Sequence, residues 1–213
     1  MNNYYNELGL QGLNINIPFP EENIQLPNPD LLNYYKDLTN RVIWIDYDID
    51  EALDSVSRAI IEYNKQDKDI PVKDRKPIKL LIHTYGGDVA STIHFIDIIN
   101  LSKTPVYTYN MGNALSAGFQ ILISGHKRFC LPNSRALYHS GSGSTSGTFE
   151  QTQAQMKEYD RLIKVFERNT LSRTKIDQKL FAKNKTKEWY MDSNEQLQYG
   201  IVDALINDIE DLY

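Results

Sequence analysis

The sequence contains a single cysteine, Cys130, among its 213 residues. One cysteine cannot form an intrachain disulfide or a cysteine-rich zinc site, and such a composition is typical of a reducing compartment. No apolar run approaches the roughly 20 residues of a membrane helix. The N-terminus lacks the basic and then apolar pattern of a secretion signal. We therefore expect a cytoplasmic protein without a membrane segment.

An excess of positive charge is also missing. Lys and Arg number 23 against 28 for Asp and Glu, which gives a net charge of −5. This is not the basic field that nucleic-acid binding requires. The sequence contains neither a phosphate-binding G-x-x-x-x-G-K-[ST] loop nor an H-E-x-x-H zinc motif. We expect no nucleic-acid partner, no nucleotide site, no metal and no cofactor.

Residues 1–30 differ in composition from the rest of the chain. They are rich in Asn and carry four of the eight prolines, which predicts an extended arm rather than a packed element. Apolar residues such as Ile15, Ile17 and Phe19 make the arm more apolar than disordered segments usually are. We expect it to dock on another surface, for instance a neighbouring subunit, and we expect residues 31–213 to form a single domain.

From Arg41 onward, short β-rich runs alternate with segments of helical period. This alternation predicts strand–helix–strand units and therefore an α/β protein with a mostly parallel sheet. The predicted strands are Val42–Ile45, Ile78–Ile82, Val106–Tyr109, Arg128–Leu131 and Ala136–His139. A buried helix is predicted over Ala117–Ile123, and a long amphipathic helix over about Thr148–Asn169.

Three segments that follow predicted strands contain residues suited to catalysis, because parallel strands present their loops at one edge of the sheet. Gly86-Gly87 could point backbone N–H groups at an oxyanion, although a glycine pair is more often a simple turn. Ser116 stands between a strand and a helix, where a nucleophile or an ordinary helix cap would stand. His139 ends a strand and could serve as a general base.

These segments together resemble the Clp protease proteolytic subunits, a family of serine peptidases. The resemblance rests on Gly86-Gly87, on the segment 111–118 around Ser116, on the run 127–135 that leads to His139, and on 199–203. The motifs occur in family order over about residues 38–207. The resemblance implies a Clp protease/crotonase-like fold of repeated βαβ units with a protruding helix–strand handle, whose helix would be about 148–169.

The same resemblance implies the roles of individual residues. Ser116 would be the nucleophile, His139 the base, and the N–H groups of Gly87 and Ala117 the oxyanion hole. The family places an Asp as the third member of the triad, and the corresponding position here is Glu188. Glu keeps the carboxylate on a longer side chain. Asp192 is the alternative if the alignment is shifted.

The sequence departs from the family pattern at three further places. Tyr85 replaces a proline before the glycine pair, which predicts a looser turn. Lys187 replaces an Arg that pairs between rings, so the charge is kept without the bidentate fork. The run Ser140–Gly147 consists of Ser, Gly and Thr where the family has a more apolar handle strand. It is either a flexible linker or a strand that orders on ring pairing or substrate binding.

The function implied by the resemblance is that of an ATP-dependent-type serine endopeptidase that hydrolyses unfolded polypeptides inside a homo-oligomeric chamber. That chamber would consist of two stacked heptameric rings, a tetradecamer, and an AAA+ ATPase unfoldase is a possible partner. One alternative is a Clp-like peptidase that works without an ATPase, as in phage maturation. The others are a catalytically silent ring scaffold and an acyl-CoA-binding protein of the crotonase branch.

Overall fold

The structure, a computed structural model, describes residues 28–212. Most of the predicted arm, residues 1–27, therefore lies outside the described residues. The last residues assigned to that arm belong to helix α1 (Pro29–Thr39), which begins at a proline. Proline is tolerated in the first turn of a helix because the N–H it lacks would have no partner there. Helix α1 belongs to one compact unit, and the residues from Val42 onward form another.

The second unit contains seven strands and six α-helices in the described residues, and it alternates between the two as the sequence predicts. The strands are β1 (Val42–Ile45), β2 (Ile78–Thr84), β3 (Val106–Leu115), β4 (Lys127–Cys130), β5 (Arg135–Tyr138), β6 (Trp189–Met191) and β7 (Ala204–Leu205). The helices are α2 (Leu53–Gln66), α3 (Val89–Leu101), α4 (Ala117–Ser124), α5 (Phe149–Arg173), α6 (Gln178–Asn184) and α7 (Ser193–Gln198). Two short 3₁₀ helices lie at Val72–Asp74 and Ile209–Leu212.

The strands form one mostly parallel sheet, which confirms the predicted fold class. Its order is β1-β2-β3-β4-β7, and β5 pairs in parallel with β3 and antiparallel with β6. Strand β3 is longer than predicted, because it has a different neighbour along each half. Its residues 107–110 pair with β4, and its residues 113–115 pair with β5. This branching opens the sheet at the place where the catalytic candidates lie.

Helix α4 is the central element of the core. All eight of its residues are buried, as the apolar segment 117–123 predicts. Phe119 of α4 packs edge-on against Tyr138, which packs in the same way against Phe181. Cys130 is fully buried at the end of β4, and burial raises the pKa of its thiol. Cys130 is therefore a small core residue, as expected from its place in a strand.

Helix α5 is the longest helix of the described residues and corresponds to the predicted handle helix. Thr148 and Gln151 form a capping box at its start: each side chain accepts a hydrogen bond from the backbone N–H of the other residue. The helix extends to Arg173, four residues beyond the predicted end. The preceding run 140–147 forms neither helix nor strand in this structure.

None of the helices in residues 28–212 combines the length and the apolar character needed to span a bilayer.

Candidate active site

Three predicted site segments lie at one edge of the sheet, at the carboxyl ends of neighbouring parallel strands. Gly86-Gly87 follow β2, Ser116 follows β3 and His139 follows β5. Strand β3 pairs with both β2 and β5, so the loops that follow these strands come close together. This is the edge where α/β proteins usually carry their functional groups.

Ser116 occupies a sharp turn between β3 and α4. Its φ of 55° and ψ of −115° are unusual for a residue other than glycine. The Ser116 N–H donates to the carbonyl of Leu137 at 2.9 Å, and the Ser116 carbonyl accepts from the N–H of Gln120 at 3.3 Å. These contacts hold a strained backbone of the kind that presents a nucleophile above a sheet.

His139 bridges Ser116 and Glu188. Its Nε2 lies 2.7 Å from Ser116 Oγ, and its Nδ1 lies 3.0 Å from Glu188 Oε1. A carboxylate only accepts hydrogen bonds, so the Nδ1–H donates to Glu188 and leaves Nε2 as the acceptor for the Ser116 hydroxyl. The three side chains thus form a continuous chain of hydrogen bonds, in which His139 is largely shielded and Glu188 is 61% exposed.

The pairing of β5 with β6 brings Glu188 to His139. The two strands are antiparallel, and Tyr138 is opposite Trp189. The residue after β5 therefore faces the residue before β6, and these are His139 and Glu188. Asp192, the alternative left open by the sequence, instead caps the N-terminus of α7, where its carboxylate accepts from the N–H of Glu195 at 2.9 Å.

Both positions of the glycine pair require glycine. Gly86 has a φ of 110°, and a Cβ there would lie 2.8 Å from Ser116 Cβ. Gly87 has a φ of 149°, and a Cβ there would lie 2.1 Å from the carbonyl oxygen of Ile49. Ile49 N–H donates to the Gly86 carbonyl, and Asp88 N–H donates to the Ile49 carbonyl, both at 2.7 Å. The Gly86 carbonyl and the Gly87 N–H belong to one trans peptide group and point in opposite directions, so the Gly87 N–H points away from Ile49.

The N–H of Ala117 is a second donor beside the serine. It belongs to the first residue of α4, where backbone N–H groups have no partner inside the helix. In residues 28–212, neither Gly87 N–H nor Ala117 N–H donates to a protein acceptor. Two such donors near a nucleophile can hold a negatively charged oxygen.

Thr84 holds the glycine turn, a role that no sequence motif predicts. Its Oγ1 accepts from Gly86 N–H at 3.1 Å and donates to the carbonyl of Tyr47 at 2.6 Å. Tyr85, which replaces the family's proline, is 68% exposed. The turn is therefore fixed by a buried hydroxyl, although Tyr85 predicted a looser geometry. The one feature of the sequence that could have indicated this role is a threonine at the end of a buried strand, directly before the glycine turn.

A groove of about 680 Å³ lies next to His139. One wall is formed by residues of the run 140–147, and the other by α5. Ser140, the residue after His139, belongs to the first wall, while Met156, Tyr159 and Ile163 belong to the second. The small Ser and Gly side chains of the run leave this space open beside the candidate triad.

The remaining histidines do not form a metal site. His126 Nδ1 accepts from the N–H of Val106 at 3.0 Å, and burial lowers the pKa of its ring. His94 lies on α3 with its Nε2 4.0 Å from Asp54. Across the part of the chain that the structure describes, no three His, Cys, Asp or Glu side chains converge as metal ligands.

The comparison with protein families gives a match over most of the chain. The family described as Clp protease matches residues 31–208. The chain belongs to the Clp protease family. The resemblance drawn from the sequence motifs is thereby confirmed, and the chain is a serine hydrolase of the Clp type. Its α/β architecture with a mostly parallel sheet agrees with the Clp protease fold.

Three curated relatives share this classification. The chain is 34% identical over 134 residues to ATP-dependent Clp protease proteolytic subunit 1 of Rhodopirellula baltica, an alignment that covers 62% of this chain and 59% of that subunit. It is 30% identical over 186 residues to the ATP-dependent Clp protease proteolytic subunit of Streptococcus uberis, covering 83% of this chain and 90% of the relative. The corresponding subunit of Deinococcus radiodurans is 26% identical over 181 residues, an alignment that covers 82% of this chain and 84% of the relative.

Proposed function

We propose that this Clp family member is an endopeptidase subunit that hydrolyses peptide bonds of unfolded polypeptides by a Ser-His-acid mechanism. The observation that carries the proposal is the hydrogen-bonded chain from Ser116 Oγ through His139 to Glu188. Along the sequence the three residues occur in the order serine, histidine, acid, whereas α/β-hydrolases have the order serine, acid, histidine.

In the proposed acylation step, Ser116 Oγ attacks the carbonyl carbon of the scissile bond while His139 Nε2 takes the hydroxyl proton. Glu188 holds the Nδ1–H tautomer and stabilises the imidazolium that forms. The imidazolium then gives its proton to the leaving amine, and the acyl group remains on Ser116. A water molecule, deprotonated by the same imidazole, completes hydrolysis.

The negative oxygen of the tetrahedral intermediate would be bound by the N–H groups of Gly87 and Ala117. Both donors belong to the backbone, and the neighbouring packing fixes their positions before substrate arrives. Removal of one such donor costs on the order of 3 kcal/mol in related acyl-transfer enzymes. The backbone around Gly86-Gly87 is therefore expected to contribute to the rate in addition to the triad side chains.

An extended peptide would bind in the groove beside His139. The run 140–147 forms no helix or strand in this structure, so its backbone is available to pair with a substrate strand. Backbone pairing recognises a polypeptide with little dependence on its side chains, which suits a peptidase that acts on unfolded chains.

We also infer the assembly from the relatives. They are named ATP-dependent proteolytic subunits, so we propose an AAA+ ATPase unfoldase as partner and two stacked heptameric rings as the oligomer. On α5, Phe149 and Met156 are 71% and 62% exposed at a spacing of seven residues, as expected of a helix that packs on another. Lys187, which is exposed, is a candidate for pairing between rings. The assignment of residues 31–213 to one peptidase domain and the cytoplasmic location stay predictions.

A fluorophosphonate probe tests the chemistry directly. The wild-type protein should be labelled at Ser116 and should cleave a fluorogenic peptide, whereas Ser116→Ala should show neither reaction. Absence of labelling in an assembled wild-type sample would contradict the proposal. Sedimentation should give a mass near fourteen chains, and a stable monomer would contradict the ring arrangement.

A further inference from the structure

Glu188 is exposed for a residue that must hold one orientation. More than half of its side chain is accessible to solvent, and it lies in the short loop between α6 and β6. Water competes for an exposed hydrogen bond of this kind, and ordering a long Glu side chain costs conformational entropy. Its contact with His139 therefore needs support from the loop that carries it.

The first support is a hydrogen bond between the two segments of the triad. The Ser140 hydroxyl donates to the carbonyl of Lys185. Ser140 directly follows His139, and Lys185 lies three residues before Glu188. The backbone of the loop that carries Glu188 is thus tied to the side chain of the residue that follows His139.

The second support is an ion pair from the same loop to helix α5. Lys185 Nζ lies 2.8 Å from Glu167 Oε1, and the two side chains are 38% and 25% exposed. The Asp160–Lys164 pair on the same helix is about 60% exposed on both sides. Solvent therefore screens the Lys185–Glu167 pair less than it screens the other.

Glu167 also lies near the segment that ends at His139. Burial, followed by the negative charge of Glu167, raises the pKa of Tyr138, the residue before His139. The charge of Glu167 therefore acts on Tyr138 at the end of β5, while its direct contact is with Lys185 in the loop of Glu188.

We propose that Lys185 and Glu167 are positioning residues that hold the Glu188 loop against the end of β5. The inference rests on the proposed Ser-His-acid function. Neither residue touches the reacting atoms, and both act through the contact of Glu188 with His139. A displacement of about 1 Å in such a contact can reduce the rate as much as 100-fold.

The test is Lys185→Met, which keeps the length of the side chain and removes its charge. We expect kcat for a fluorogenic peptide and the rate of fluorophosphonate labelling to fall together by about 5- to 50-fold with little change in KM. Lys185→Arg should restore most of both rates. The matched control is Lys65→Met, which removes the exposed Lys65–Glu62 pair on α2, away from the groove, and should leave both rates within twofold of wild type.

A double-mutant cycle separates positioning from a general structural role. In a Glu188→Ala background, Lys185→Met should have no further effect on kcat, because the contact it supports is already lost. Equal losses in both backgrounds, or wild-type rates in Lys185→Met, would overturn the positioning role. If Lys185→Met fails to fold, Glu167→Gln provides the same cycle. Wild-type protein that resists the probe would instead refute the proposed function.

Discussion

Replacing Glu188 by Gln keeps the size of the side chain and removes its charge, so it isolates the electrostatic part of the proposed triad. The amide can still accept a hydrogen bond from His139 Nδ1–H. What is lost is the attraction between a carboxylate and the imidazolium that forms when Ser116 gives up its proton. The substitution should therefore reduce kcat far more than it reduces substrate binding.

The separation and the exposure of the two groups set the size of the loss. At the 3.0 Å between Nδ1 and Oε1, two unit charges attract by about 1.4 kcal/mol in water and about 5.5 kcal/mol at an effective dielectric constant of about 20. The His139 side chain is 20% exposed and the Glu188 side chain is 61% exposed, so the attraction between the two charges lies between these two energies. We expect about 2–4 kcal/mol, which corresponds to a fall in kcat of roughly 30- to 1,000-fold.

The assay is the hydrolysis of a fluorogenic peptide at saturating concentration, with thermal unfolding measured in parallel. The matched control is Asp192→Asn, the same carboxylate-to-amide change at the start of α7. Because Asn is as good a helix cap as Asp, this control should alter neither kcat nor stability. A loss below threefold in Glu188→Gln, or an equal loss in Asp192→Asn, would refute the assignment of the third role to Glu188.

Three other changes test the surrounding structure. Gly86→Ala places a methyl group 2.8 Å from Ser116 Cβ and should abolish probe labelling; labelling at the wild-type rate would show that the turn tolerates a side chain. Thr170→Val leaves the buried Gln120 amide, 3.0 Å from Thr170 Oγ1, without its acceptor, and should cost about 1–3 kcal/mol in urea unfolding, whereas Thr170→Ser should cost much less. Burial raises the pKa of Tyr109 to about 12, so its contribution to stability is complete below pH 10 and is lost as the pH rises toward 12. Tyr109→Phe should flatten that part of the curve of unfolding free energy against pH, and an unchanged slope would contradict it.

The sequence alone determined most of the central strands and helices of this protein and pointed to its candidate reactive groups. The spacing of apolar residues predicts the strands and the buried helix α4, because this spacing involves only residues that are close together in the chain. Ser116 and His139 stand in local patterns whose turn chemistry is readable without coordinates. The glycine pair is equally local, since its positive φ angles exclude other residues at that turn.

Only the tertiary structure decided which groups meet. Glu188 and Asp192 are four residues apart, and the antiparallel register of β5 with β6, which joins segments 49 residues apart, brings Glu188 to His139. The Lys185–Glu167 ion pair likewise joins the loop before β6 to helix α5, and the tertiary structure brings these two segments together. Such registers depend on how distant apolar faces fit together, and a sequence period specifies the faces without specifying their alignment.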